Sequence, residues 1–234
     1  MSKKFNPDAG NTLTTSLVYY FQEEADSTAY YGSATGIDTT VTYSAGKVNN
    51  GGVFNGTTSK SLFIIKLVDT VPFSVAMWVK TPSAFPGGGA EQPFIETGDR
   101  NNKGWLFEFG AGGNSGKIGF FAVNSNALFS GALSTSTWYF VVGRLDAAGN
   151  HDIWINNVQA GSATGISYIA ALTTSAFGTD TAFSTFAQCS LDEIGIWNKA
   201  LSTQEMTDLY NAGNGQTMVD TPDVNLMDKM MLVM

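Results

Sequence analysis

The sequence predicts an all-β fold: an antiparallel two-sheet β-sandwich closed by one short C-terminal helix. Three observations predict it. Glycine occurs 26 times and aromatic residues make up 12% of the 234 residues, while charged residues make up only 14%, the composition of short, half-buried strands joined by tight turns. Apolar residues alternate with period two in one segment after another. These segments are bounded at short intervals by Gly, Asn, Asp and Ser, which favour turns. A chain of this length buries one sandwich core without cross-links.

Residues 1–16 are polar and aperiodic and read as an N-terminal arm, ordered only where something holds it. The first strand is LVYYF, residues 17–21, followed by a meandering connection over 25–43 punctuated by Gly32, Gly36 and Asp38. Strands then follow at 53–56, 61–66 and 73–80. In FSVAMWVK, period-2 alternation puts Phe73, Val75, Met77 and Val79 on one face and Ser74, Ala76, Trp78 and Lys80 on the other. The segment 82–92, with two prolines and three consecutive glycines, is excluded from a ladder and reads as a surface loop. Strands resume at 93–98, 104–110, 117–123, 137–145, 151–157 and 190–197. AAGN at 147–150 and GAGGNSG at 110–116 read as hairpin loops. In ALSTQEMTDLYNAG, Ser202 and Glu205 have capping-box spacing and Gly213 reads as the stop, giving a helix that packs through Met206, Leu209 and Tyr210.

The formal charge of −8 leaves no basic stripe to neutralise phosphates, which sets nucleic acid aside as a partner. No apolar run follows the two early lysines, so neither a signal peptide nor a membrane span is expected. Cys189 is the single cysteine and reads as a buried structural thiol in a protein folded in a reducing compartment. His151, the single histidine, reads as an exposed turn residue. Neither a His-based triad, a zinc cluster nor a phosphate-cradling loop is present.

Saccharide binding needs an aromatic plate for the apolar face of a ring and polar groups for its hydroxyls. Two stretches fit. Trp105 follows a polar loop carrying Asp99, Arg100, Asn101 and Asn102, and Trp154 alternates with Asp152 and Asn156 opposite Ile153 and Ile155. Core packing is the competing fate of a strand tryptophan. The final segment, 216–234, holds five of the eight methionines. Leu226, Met230 and Val233, and beside them Met227, Met231 and Met234, fall at nearly helical spacing, a pliable surface for docking onto another subunit. Folding back on its own domain is the alternative.

The stretch LDEIGIWNKALSTQEMTDLYNAGNG closely resembles the C-terminal signature of laminin-G-like, concanavalin A-like jelly rolls. YYF, AGKVNNGGVFNG, FSVAMWVK, TWYFVVGRLDAAGNHDIWINNVQA and FGTD match other parts in order, so the resemblance covers 17–215. Lacking a signal peptide and paired cysteines, the chain is most similar to the versions carried on bacteriophage particles. The resemblance implies a non-enzymatic virion surface component, a head decoration, fibre or tail-associated protein. It would be made in the host cytoplasm, attached to other virion proteins or to itself, and would contact glycans. A free carbohydrate-binding module or bacterial surface lectin is the alternative, and a glycoside hydrolase a third reading. Hydrolases on this fold carry E-x-D-x-x-E on one strand, with two carboxylates flanking the scissile bond. That pattern is missing, and Glu23, Glu24 and Asp26, the nearest match, read as exposed polar residues. The resemblance also implies at most one structural calcium. Asp26, in DSTAYYG, lies where relatives often have D-x-[ST]-G, and Asp192 either binds metal or braces the last strand.

Overall fold

The computed structural model describes residues 13–68, 70–99, 103–122, 127–170 and 174–218. Among the described residues fifteen strands form two sheets with antiparallel pairing between neighbours. The larger sheet runs β13 (Val158–Ala163), β12 (His151–Ile155), β11 (Trp138–Leu145), β6 (Phe73–Lys80), β15 (Gln188–Trp197), β4 (Asn50–Asn55) and β3 (Thr42–Ala45), with β1 (Leu17–Phe21) also on β15. The smaller runs β10 (Leu128–Phe129), β9 (Ile118–Ala122), β8 (Lys103–Phe109), β7 (Gln92–Asp99), β14 (Ser175–Phe177), β5 (Lys60–Phe63) and β2 (Ile37–Thr39).

The core lies between the sheets, where Phe73, Val75, Met77 and Val79 of β6 meet Phe94, Trp105, Phe107, Phe120 and Phe177. The alternation in FSVAMWVK therefore sets the inward face as expected. The opposite face is also buried, because Ala76, Trp78, Phe140 and Val142 lie beneath a second apolar cluster built from Leu13, Leu17, Leu201, Met206, Leu209 and Met218. Helix α1 (Thr203–Tyr210) supplies part of this cover. Ser202 accepts the Glu205 N–H in a capping box, the device that satisfies the orphan donors of a helix start. The helix stops earlier than the sequence suggests: Asn211 takes the left-handed conformation at φ 48°, and Gly213 (φ +88°) belongs to the turn that follows.

Both ends of the described chain, from Leu13 and up to Met218, pack onto this face. The Trp197 indole donates to the Leu13 carbonyl at 2.6 Å, and the Asn198 N–H donates to Ser16 at 2.9 Å. Met218 is buried, with its N–H donating to the Tyr20 hydroxyl at 3.0 Å.

Strand β15 bridges two neighbours on one side. Residues 188–191 pair with β4 and residues 194–197 with β1. Between the halves the register against β6 shifts between Asp192 and Gly195, and Glu193 takes φ 52°, the geometry of a β-bulge. Two expectations of exposure are corrected. His151 and Glu23 are each 1% exposed: His151 opens β12 opposite Leu145 with its ring near Phe120, and Glu23 accepts the Ser27 hydroxyl. Cys189 is buried.

Candidate functional site

At one end of the larger sheet a cleft of about 380 Å³ opens among the ends of β4, β6 and β15, the loop after β6 and Ser136. Strand geometry decides what faces it. Lys80 lies on the outward face of β6, directly opposite Trp138 on β11 and Ser190 on β15, so the three side chains stand in one row. Gln188, two residues from Ser190, shares that face. Its amide oxygen accepts from the Ser83 N–H at 3.1 Å and hydroxyl at 2.8 Å. The rim is stitched by Thr81, whose hydroxyl donates to the Ser134 carbonyl at 2.7 Å and accepts the Thr137 N–H at 3.0 Å. The cleft thus combines a half-buried indole beside it, an oriented amide, hydroxyls of Ser83, Ser136 and Ser190, and one ammonium. An apolar plate with a few fixed polar groups is the chemistry of a saccharide site.

None of these residues was singled out in the sequence. The alternation in FSVAMWVK and TWYFVVGRL places Lys80 and Trp138 opposite the core, but the pairing of β6 with β11 and β15, which brings them together, is not written in either segment.

The residues that were singled out are placed elsewhere. Trp105 is 2% exposed and its indole donates to the Val68 carbonyl at 3.1 Å; it is a core residue with no face for a ligand, which corrects its reading as a platform. Asp99 ends β7 opposite Lys103, and Arg100, Asn101 and Asn102 lie outside the described residues. Trp154 is half-buried, but the Arg144 guanidinium sits 5.2 Å from its ring centroid. Asp152 is committed to the same arginine, accepting Nε at 2.8 Å and NH2 at 2.5 Å. Asn156, at φ 49°, accepts the Phe140 N–H at 2.9 Å. The Trp154 group is thus an internal brace of the β11–β12 hairpin, and its polar members are spent on protein partners. The docking residues Leu226, Met227, Met230, Met231, Val233 and Met234 lie outside the described residues.

A second constellation gathers carboxylates around the β15 bulge. Asp192 accepts the Lys47 and Val48 N–H groups at 2.7 and 2.8 Å, so it braces the β3–β4 loop. A Cβ at Gly46 would stand 2.5 Å from the same oxygen; glycine is what lets that loop close on the carboxylate. Glu24 accepts the Asn50 N–H at 3.2 Å, where that loop enters β4. Glu193 accepts the Tyr20 hydroxyl. Burial pushes the Asp192 carboxyl up to about 7 and that of Glu193 up to about 9, because desolvation disfavours the charged form. Burial likewise raises Glu23 well above the usual carboxylate range, against the opposing hydrogen bond from Ser27.

Oδ1 of Asp192 and Oε1 of Glu23, Glu24 and Glu193 are buried without hydrogen-bond partners. Buried oxygens of this kind on Asp192 and Glu24, at one irregular loop, suit a hard cation. Asp26 does not join them: it is exposed and its Oδ1 accepts the Thr28 N–H at 2.9 Å. Among the described residues no trio of His, Cys, Asp or Glu side chains forms a metal-binding group.

Glu96 and Glu108 also share a face, on neighbouring strands two residues out of register. They are 2% and 0% exposed, and the Thr181 N–H donates to Glu96 at 2.7 Å. A carboxylate pair closed to solvent in this way has no access to a glycosidic bond.

The family profile that matches the chain is Laminin_G_3, described as the concanavalin A-like lectin/glucanases superfamily, over residues 50–207. No curated protein sequence matches. Among solved structures, the binding domain of Paraclostridial Mosquitocidal Protein 1 superposes with a TM-score of 0.69 at 14% identity, covering 86% of this chain and 53% of that one. The receptor binding domain of botulinum neurotoxin D gives 0.66 at 15% identity, covering 86% and 54%. Domain 4 of AbnA, an extracellular arabinanase from Geobacillus stearothermophilus solved with arabinotriose, gives 0.64 at 21% identity, covering 86% and 98%. The chain spans about half the length of the toxin domains and nearly all of the arabinanase domain, and at these identities the likeness is one of fold. The profile match, over residues 50–207, shows that the chain belongs to the Laminin_G_3 family of the concanavalin A-like lectin/glucanase superfamily.

Proposed function

We propose that this domain is a non-enzymatic, lectin-like module that binds saccharides in the cleft beside Lys80 and Trp138. The observation that carries the reading is a cleft lined by Lys80, an amide fixed by Ser83 and several hydroxyls, with Trp138 on the paired strand beside it. Support comes from the arabinanase domain of the same size, solved with arabinotriose, and from a botulinum neurotoxin type C structure whose cell entry depends on two ganglioside molecules. The burial of Glu96 and Glu108 favours binding over hydrolysis. Trp138→Ala and Gln188→Ala should abolish retention of the domain on a glycan array while leaving its melting temperature within a few degrees. Retention unchanged in both variants would refute the cleft.

The finer reading is display on the outside of a bacteriophage particle, as the sequence resemblance implies, with residues beyond Met218 as the attachment segment. Mass spectrometry of purified particles tests it. Fixed stoichiometry supports a virion component, whereas recovery only as a free protein supports a soluble carbohydrate-binding module. We further place a structural calcium at Asp192 and Glu24, where it would neutralise two carboxylates and tie the β3–β4 loop to β15.

A further inference from the structure

We infer that the cleft selects acidic saccharides, with Lys80 pairing a sugar carboxylate. The inference rests on the saccharide-binding reading above and names its ligand class. Among the described residues four other lysines have partners. Lys199 pairs with Glu205, Lys47 lies 4.5 Å over Trp78, Lys60 lies 4.6 Å over Phe183, and Lys117 reaches Asn114 at 3.2 Å. Lys80 differs. It lines the cleft, and no ion pair joins it to a carboxylate among the described residues. The chain carries a net charge of −8, so acidic partners are plentiful, yet the neighbours directly across from Lys80 are Trp138 and Ser190, both uncharged.

An ammonium at the wall of the cleft, with an indole and a hydroxyl on the neighbouring strands, has its strongest interaction with an anion that enters the cleft. The remaining lining groups specify what carries that anion. Gln188 presents an amide whose oxygen is already committed to Ser83, which leaves its NH₂ to donate to ligand oxygens. Ser136 and Ser190 offer hydroxyls, and Trp138, across from Lys80 on β11, stands beside the cleft and packs partly against the second apolar cluster. A ligand with one carboxylate, several hydroxyls and an apolar ring face is a sugar acid. The volume of about 380 Å³ is at the small end of ligand pockets, sized for a short saccharide and not for a long chain.

The experiment uses the full chain and isothermal titration calorimetry with two pairs of probes that differ in charge: trigalacturonate against its methyl ester, and 3′-sialyllactose against lactose. At least one acidic member should bind about tenfold tighter than its neutral counterpart. Lys80→Gln should erase that difference and Lys80→Arg should retain most of it, and raising salt should weaken the acidic probe only. Because the salt arm uses the parent protein, it reads the same charge dependence if Lys80→Gln fails to fold. Equal binding of acidic and neutral members, unaffected by salt and by Lys80→Gln but lost in Trp138→Ala, would overturn the acidic preference and leave saccharide binding standing. No binding of either pair, with no glycan of either charge retained on an array, would overturn both.

Discussion

Replacing Glu193 with glutamine should make the protein more stable, and increasingly so as pH rises. Burial lifts the Glu193 carboxyl to about 9 from its ordinary 4.5, so at neutral pH the folded protein holds a proton there that the unfolded chain has released. Stability therefore falls as pH climbs from 4.5 towards 9, by ~1.4 kcal/mol per unit. Between pH 4.5 and 7 that is about 2.5 units, or about 3 kcal/mol. Tyr20 donates to this carboxyl, and the charges of Asp192 and Glu24 add to burial in favouring the neutral form. Glutamine keeps the shape and the acceptor oxygen but does not titrate. Urea denaturation followed by tryptophan fluorescence, in chelator at pH 4.5 and 7, should show Glu193→Gln gaining on the parent by about 2–3 kcal/mol across that interval. A gap between the two proteins that stays constant with pH would refute the reasoning, since it would mean the carboxyl ionises alike in both states.

Trp105→Ala should cost about 3–5 kcal/mol by emptying a core site, read as a large drop in melting temperature; a small drop would restore Trp105 as a surface residue. Excess calcium should raise the melting temperature of the parent by mass action on the folded state, and Asp192→Asn should lose most of that rise. A parent whose melting temperature is the same in calcium and in chelator would remove the metal from the account. A chain ending at Met218 should melt like the parent yet fail to attach to particles, whereas one ending at Gly215 should lose about 2–3 kcal/mol with the buried Met218 side chain and its bond to Tyr20. Attachment that survives loss of residues 219–234 would refute the docking segment.

The strands were legible wherever one face differed from the other in polarity or a turn residue closed the segment. LVYYF matched β1 residue for residue, FSVAMWVK matched β6, and AAGN closed the β11–β12 hairpin. The capping box at Ser202 was legible because its four residues are contiguous. Asp192 and Glu193 were harder: in LDEIGIW a bulge rotates the strand midway, so period-2 counting fails across it. Trp105 and Trp154 share an alternating context, and only the partner strands decide that one enters the core and the other carries Arg144. The cleft was illegible for the same reason. Gln188, Lys80 and Trp138 are brought together by sheet order, a long-range property with no local signature. Burial on both faces of β6 likewise depended on Leu13 and Met218, which belong to segments without strand periodicity.

Leu13 and Met218 converge near one side chain. Trp197 donates to the carbonyl of Leu13, and a Cβ at Gly195 would meet both Trp197 and the Met218 methyl, at 2.2 and 2.9 Å. The entry and exit of the domain are thus neighbours, as in a bead threaded through one hole. A short peptide joining Leu13 to Met218 should let the chain be reopened at Ala147–Ala148, the exposed tip of the β11–β12 hairpin, giving a circularly permuted protein with the same sandwich. The same geometry makes the domain suited to insertion into a loop of a host protein, since its two ends need not be pulled apart to be spliced in.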